Sequence, residues 1–247
     1  MRYLSRFFKD TVKYYEYVKV ATKANLKTEV AGSYLSWLWW ILDPMLFMLI
    51  YTFVCVIVFD RPQEYLAAFI FIGLSSWDFF NHVIQISVNL VQKNSGVISK
   101  VYVPKFVLIY IEMGIWGFKM LISFSLVAIT MFLYRIHITH RILYVIPAFV
   151  VLLMFTFGCA TLLLHFGVYI QDLTNVIRAV LRLVFYMSGV FYSIDKTPEP
   201  FRTILMNFNP LALVMDSLRR CMLYAEKPRL FLLGVWFAIG LLLAIIG

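Results

Sequence analysis

The chain has 247 residues, 62% of them hydrophobic and only 14% charged, with a mean hydropathy of +0.85. Soluble domains carry about 45–50% apolar and about 25% charged residues, so this composition excludes a soluble domain; the surplus apolar surface belongs against lipid, which is itself apolar. The formal net charge of +9 does not mark a nucleic-acid binder, because the cations gather at the ends of apolar runs, where topology and anionic headgroups account for them.

In residues 1–30, Arg2, Arg6, Lys9, Lys13, Glu16, Lys23 and Lys27 recur at three- and four-residue spacing, with Leu4, Phe7, Phe8, Val12, Tyr14, Tyr15 and Val18 largely on other faces. This pattern predicts an amphipathic helix lying flat in the membrane interface; the alternative is a solvated helix packed on the protein's own loops. Charge and aromatics alternate there without a continuous apolar core, so it does not read as a cleavable signal peptide. A bilayer-spanning helix needs about 20 mostly apolar residues. Six stretches meet that length: Ser36–Phe59, Tyr65–Val91, Phe106–Tyr134, Ile142–Ile170, Val176–Ile194 and Leu230–Gly247, the last barely so.

Between the fifth and sixth stretches, residues 195–229 hold two partly apolar segments, Phe201–Phe208 and Leu211–Tyr224, broken at Asn209-Pro210 and set off by Pro198 and Pro200. Both are too short to cross. They predict a re-entrant hairpin dipping into the outer leaflet, an arrangement that persists only when buried in protein or lining a cavity. Phe201, Phe208, Asn209, Pro210 and Arg219 are the candidate gate residues. The expected fold is all-α and integral to the membrane. It comprises six transmembrane helices in one domain spanning residues 1–247, an N-terminal interfacial helix, and an external hairpin between helices five and six.

Lys and Arg set the orientation. Seven cations precede Glu29 (Arg2, Arg6, Lys9, Lys13, Lys19, Lys23, Lys27), and the loop after the second stretch adds Lys93, Lys100 and Lys105. The first loop, with Asp60, Arg61 and Glu64, is net negative. The N-terminus is therefore expected in the cytoplasm, although residues 195–229 carry six cations against the rule; later loops weigh less.

The sequence holds no GxxxxGK[ST], HExxH or GxSxG motif. Cys55, Cys159 and Cys221 form no CxxC pair, and His82, His137, His140 and His165 are scattered, so no metal site is expected. Charge inside a span costs a few kcal/mol unless partnered or hydrated. Asp43, Asp78, Glu112 and Lys119 are such residues; they either line a hydrated path or make structural contacts between helices. Glu112 and Lys119 lie seven residues apart, on one face but too distant to pair, so each would meet a neighbouring helix. Tyr34, Trp37, Trp39 and Trp40 suit an interfacial belt; the sharper alternative is that some of these rings face a channel and stack on sugars.

The run from Lys27 through Thr28-Glu29-Val30-Ala31-Gly32-Ser33-Tyr34-Leu35-Ser36-Trp37-Leu38 to Trp39, followed by Asp43-Pro44, resembles the start of the first span in type-2 ABC exporter permeases of the polysaccharide, teichoic-acid and O-antigen export branch. The stretch Lys93 to Lys105 resembles that family's cytoplasmic loop. Gln171-Asp172-Leu173, Tyr186 to Tyr192 and Asn209-Pro210-Leu211 resemble its C-terminal half. Ser36, Gln171 and Gly189 depart from the family's common Gly, Arg and Pro. The resemblance implies a multi-pass permease of the bacterial cytoplasmic membrane. Two copies of it would assemble with two copies of an ABC ATPase subunit, which carries the ATP and magnesium, leaving no cofactor on this chain. The cargo would be a lipid-linked polysaccharide or a teichoic-acid-type polymer. Lys93, Val97, Ile98, Lys100, Val101, Tyr102 and Pro104 would dock on the ATPase. A membrane-embedded glycan-processing enzyme, or an exporter of a small lipid or drug, is the alternative; the acids are spread out, without a DxD pair.

Overall fold

The computed structural model describes residues 2–31, 35–58, 64–100, 102–170 and 172–247, and all regular structure among them is helical. The α-helices are α1 Arg2–Ala31, α2 Ser36–Phe53, α3 Leu66–Lys93, α4 Ser95–Ile98, α5 Lys105–Leu133, α6 Val145–Gly167, α7 Leu173–Met187, α8 Phe201–Phe208, α9 Pro210–Met222 and α10 Leu230–Ile246. A π turn, Val54–Val58, prolongs α2, and a 3-10 turn, His140–Tyr144, leads into α6.

Four of these helices are long and apolar enough to cross a membrane: Ser36–Ile57, Leu66–Lys93, Lys105–Leu133 and His140–Gly167. They coincide with the first four predicted stretches within a few residues. The fifth differs. Its helix, α7, has 15 residues and stops at Met187 rather than Ile194, because Gly189 turns the chain with φ of +67°, a conformation that side chains with a Cβ rarely adopt. The sixth stretch, α10, is an apolar helix of 17 residues. Six full crossings are therefore not established by helix length.

The centre of the bundle is α3. Its residues from Ala68 to Trp77 are buried without interruption, so it packs against neighbours all round instead of presenting one lipid face. α5, α6 and α2 lie against it, with α7 and α9 completing the ring. α6 approaches α3 where Gly167 meets the backbone of Val88, whose Cα would lie 3.1 Å from an added Cβ. α10 lies along α6 and runs in the same direction: Trp236 packs on Phe155, 5.5 Å between rings, and Gly240 meets Gly158 one turn further along. Small residues at both contacts let backbones touch, the usual means of packing helices in lipid.

Length and register show what extends beyond the bundle. α3 and α5 have 28 and 29 residues, about 42 Å at about 1.5 Å per residue, against a hydrocarbon core of about 30 Å. α2 begins level with the stack of His82 on Trp116 (3.7 Å), since Trp40 touches Phe118 at 5.9 Å. From that level α3 continues to Lys93, and α5 extends back to Lys105, by roughly 16 Å each. This overhang carries α4 at its tip.

α1 lies along the overhang of α5. Phe7 packs on Phe106 at 4.8 Å, Thr22 Oγ1 donates to the Ile111 carbonyl at 3.4 Å, and Glu29 reaches Lys119 at 2.9 Å. The predicted helix is present, but part of its apolar face covers protein: Phe7 and Val18 pack on the core while Val12 and Tyr15 stay exposed.

Two glycine substitutions test this packing. Gly167→Ala drives a methyl into the Val88 carbonyl, where only backbone can yield; it is expected to cost about 1–3 kcal/mol, seen as a lower Tm in detergent. Gly96→Ala in α4 meets nothing within 4 Å and leaves Tm unchanged or slightly higher.

Candidate functional site

Three helices line a cavity of about 400 Å³ with both polar and apolar walls, beside the first turns of α2. α3 contributes Ser75, Asp78, Phe79 and His82; α5 contributes Trp116, Lys119, Met120 and Ser123; α2 closes it with Trp39, Trp40, Asp43, Pro44 and Phe47. On α3 and α5 the lining residues fall at i, i+3, i+4 and i+7, one face of each helix. Five residues singled out separately in the sequence, Trp39, Trp40, Asp43, Asp78 and Lys119, thus share one chamber. Trp37 and Glu112 are not among its lining residues, and Tyr34 lies outside the described residues.

Lys119 is fully engaged. Its ammonium donates to Glu29 Oε1 at 2.9 Å, lies 4.1 Å from the Trp116 ring centre and 5.7 Å from that of Trp40. A carboxylate and two ring faces offset the cost of a cation at this depth. His82 stacks on Trp116 and bonds through Nδ1 to the Asp78 carbonyl at 2.9 Å. Asp43 is exposed on α2; a carboxylate on an embedded helix is costly against lipid and is expected to face water, ligand or protein.

A second polar surface lies between α3 and α7. Trp77, Asn81 and Gln85 follow at four-residue spacing on α3, opposite Arg178 and Arg182 on α7, around a recess of about 350 Å³. Gln85 Nε2 donates to Asn81 Oδ1 at 2.8 Å, and Asn89 Nδ2 donates to Thr174 Oγ1 at 2.9 Å. The signal for this surface was the ladder of amides at 81, 85 and 89 inside an apolar run.

The segment after α7 forms the predicted pair of short helices, and Asn209-Pro210 is their hinge. Asn209 Oδ1 accepts from the amides of Leu211 and Ala212 at 3.1 and 3.2 Å, while its Nδ2 donates to Ser188 Oγ at 3.0 Å. Pro210 follows at the first helical position, where its missing N–H costs nothing. The tip, Phe208 to Leu211, lines an apolar cavity of about 440 Å³ with Phe80, Phe155 and Cys159, residues midway along α3 and α6. Phe201 and Phe208 are exposed.

Arg219 sits elsewhere than at the surface of this segment: it is 4% exposed. Its Nε donates to the Phe69 carbonyl at 3.1 Å, Nη1 to that of Gly189 and Nη2 to that of Val190, both at 2.7 Å, and its guanidinium lies 3.4 Å from the Phe69 ring centre. One side chain thereby ties α9 to α3 and to the corner where α7 ends. Nearby, Arg220 bonds Asp216 at 2.8 Å and Glu226 at 2.7 Å and also meets Asp195.

The loop between α3 and α5 carries α4 as a single turn, with Ser95 and Gly96 exposed and Ile98 half-buried against the core. Ile98 donates its amide to the Asn94 carbonyl at 3.0 Å, and Asn94 Nδ2 donates back to Leu90 at 2.9 Å. Lys93 and Lys100 are exposed, Tyr102 is 75% exposed, and Pro104 precedes α5. Val101 and the Val97 side chain lie outside the described residues. Tyr14 of α1 donates to the Tyr102 carbonyl at 3.1 Å, bracing the loop.

Four helices of membrane-crossing length and apolar character define a multi-pass membrane protein. The family model described as ABC-2 type transporter matches residues 16–223, and the chain belongs to that family. Two proteins of Klebsiella pneumoniae named O-antigen export system permease protein RfbA are 24% and 25% identical to it over 234 residues, covering 94% of this chain and 90% of each relative. A Myxococcus xanthus protein of the same name is 23% identical over 86% of this chain and 82% of its own length.

Arg219→Met leaves the carbonyls of Gly189 and Val190 without their charged donor, and Arg219→Lys cannot reach three acceptors from one fork. Both are expected to destabilise the chain by about 3 kcal/mol, read as lower Tm in detergent, with Lys restoring no more than part of the loss.

Proposed function

We propose that this chain is the transmembrane subunit of an ATP-driven exporter that moves a lipid-linked polysaccharide outward across the bacterial cytoplasmic membrane. The observation that carries the reading is the family match together with relatives, aligned over nearly their whole length, that are named O-antigen export permeases. A separate ABC ATPase binds ATP and magnesium and supplies the work. The N-terminus and α4 face the cytoplasm, as the Lys and Arg distribution favours. Two permeases assemble, with the polar faces of α2 and α7 turned to a shared channel. An exposed Asp43, Arg178 and Arg182 would be costly against lipid, which supports that orientation.

The chain crosses six times in this reading. The parallel run of α6 and α10 supports an odd crossing between them: α7 covers the inner part and α9 the outer part. α8 and α9 then form the re-entrant hairpin of the external gate, with Phe201 and Phe208 on its exposed side and the Asn209-Pro210 hinge at its tip.

Coupling runs through α4. Val97 and Ile98 with Lys93, Lys100, Val101, Tyr102 and Pro104 seat on the ATPase, and the overhang of α3 and α5 transmits its closure to the bundle. A proline at 98 removes the Ile98 amide that closes the turn. The double variant Ile98→Pro/Lys100→Glu is expected to abolish surface glycan and recovery of the ATPase with the permease, while Tm stays near the parent value. Undiminished export in that variant excludes α4 as the docking element.

A further inference from the structure

We infer that the recess between α3 and α7 binds a phosphate or diphosphate group borne on a lipid, in the leaflet on the side of α4; the inference goes beyond the export reading and does not rest on it. The two helices run antiparallel, and two contacts fix their register: Asn89 Nδ2 reaches Thr174 Oγ1 at 2.9 Å, and Trp77 packs on Phe185 at 5.1 Å. Between these contacts Arg178 comes opposite Gln85 and Arg182 opposite Asn81, and all four line a recess of about 350 Å³, within the range of small-ligand sites. Among the described residues no carboxylate lines it. Other cations of the bundle are matched from within the chain: Lys119 by Glu29, Arg220 by Asp216 and Glu226, Arg219 by three carbonyls. Arg178 and Arg182, both exposed, take part in none of the ion pairs among the described residues. Like charges one turn apart repel each other, and an anion held between them turns that repulsion into attraction. Gln85 Nε2 donates to Asn81 Oδ1 at 2.8 Å; this occupies the acceptor side of Asn81 and leaves its N–H donors for a ligand. Two guanidinium forks and an amide donor together match the oxygens of a phosphate.

Depth selects a lipid over a soluble anion. The crossing helix Ser36–Ile57 has 22 residues, about 33 Å, so it matches a hydrocarbon core of about 30 Å and starts at its edge. It starts level with His82, the residue next to Asn81. Arg182 therefore stands at the edge of the hydrocarbon. Arg178, one turn or about 6 Å toward α4, stands among the headgroups, where lipid phosphates lie. The recess is polarised in the same sense: the Trp77 and Phe185 rings wall its deep end, and the guanidinium and amide groups its shallow end. A lipid of that leaflet carries its phosphate outward and its apolar chain inward, and so fits both ends at once.

The test is isothermal titration calorimetry on the purified full-length permease in detergent, with farnesyl diphosphate, farnesol, short-chain phosphatidylglycerol and inorganic pyrophosphate as probes. Farnesyl diphosphate should bind saturably, one per chain, and farnesol, which has the tail without the phosphate, should not bind. Arg178→Gln/Arg182→Gln should weaken binding about tenfold or more at unchanged Tm, and Arg178→Lys/Arg182→Lys, which keeps the charge but not the forks, should recover only part of the loss. Lys9→Gln/Lys13→Gln removes the same charge from exposed positions on α1 and should bind like the parent. Phosphatidylglycerol binding as tightly as farnesyl diphosphate assigns the site to a bilayer phospholipid, and weaker binding assigns it to a polyprenyl phosphate; both uphold the lipid-phosphate site. The inference is overturned if farnesyl diphosphate does not bind, if the Gln pair binds like the parent, or if the Lys9/Lys13 control loses as much. It is also overturned if inorganic pyrophosphate binds as tightly, since the tail then contributes nothing. If the double Gln variant does not fold, Arg178→Gln alone, expected to lose about fivefold, decides. These outcomes are read on the isolated chain; the export reading falls separately, if deleting the gene leaves surface glycan unchanged.

Discussion

The fold turns on how one guanidinium is kept inside an apolar bundle. Where α7 stops, the chain leaves helical geometry, and the carbonyls of Gly189 and Val190 lose their place in a helical ladder. In water such groups would be solvated; inside a membrane bundle they need a partner from the protein. Arg219 is that partner, and its charge is in turn satisfied by three carbonyls and the face of Phe69. Gly73 leaves the space the fork occupies, since a Cβ there would collide with Nη2. The corner, the last turn of α9 and the buried stretch of α3 are thus mutually dependent. The hairpin can be short because this contact anchors it.

The same accounting governs the chambers. Lys119 is neutralised by an acid from α1, so the amphipathic helix is joined to the middle of α5 as well as to its surface. This links the overhang, where α1 lies, to the chamber where Asp43, Asp78 and Ser75 converge. On the other flank of α3, Arg178 and Arg182 face a ladder of amides. α3 therefore separates an acidic recess from a basic one, and it can do so only because its own surface is otherwise apolar and covered.

Much of this was legible in the sequence. The first four membrane helices fall within a few residues of the predicted stretches, because lipid demands a length and a hydropathy that few other elements share. Asn209-Pro210 announced its hinge, since an amide cap followed by proline at the first helical position is a local signal. The end of α7 was not legible: Val190, Phe191 and Tyr192 continue the apolar run, and only the φ of Gly189 shows that the helix has ended. Periodicity located the apolar face of α1 but not its partner, which is α5. The convergence of Asp78 and Lys119 could not be read either, because it depends on the register between antiparallel helices, which no single helix encodes. Arg219 read as a gate residue of an external segment; its burial follows from tertiary packing alone.

The unequal reach of α3 and α5 on either side of the His82–Trp116 level has a mechanical meaning. At about 1.5 Å per residue the pair reaches about 16 Å toward α4 and about 24 Å toward the Arg219 corner. A rigid rod of those proportions, turned about that level, carries its far end about one and a half times as far as its near end.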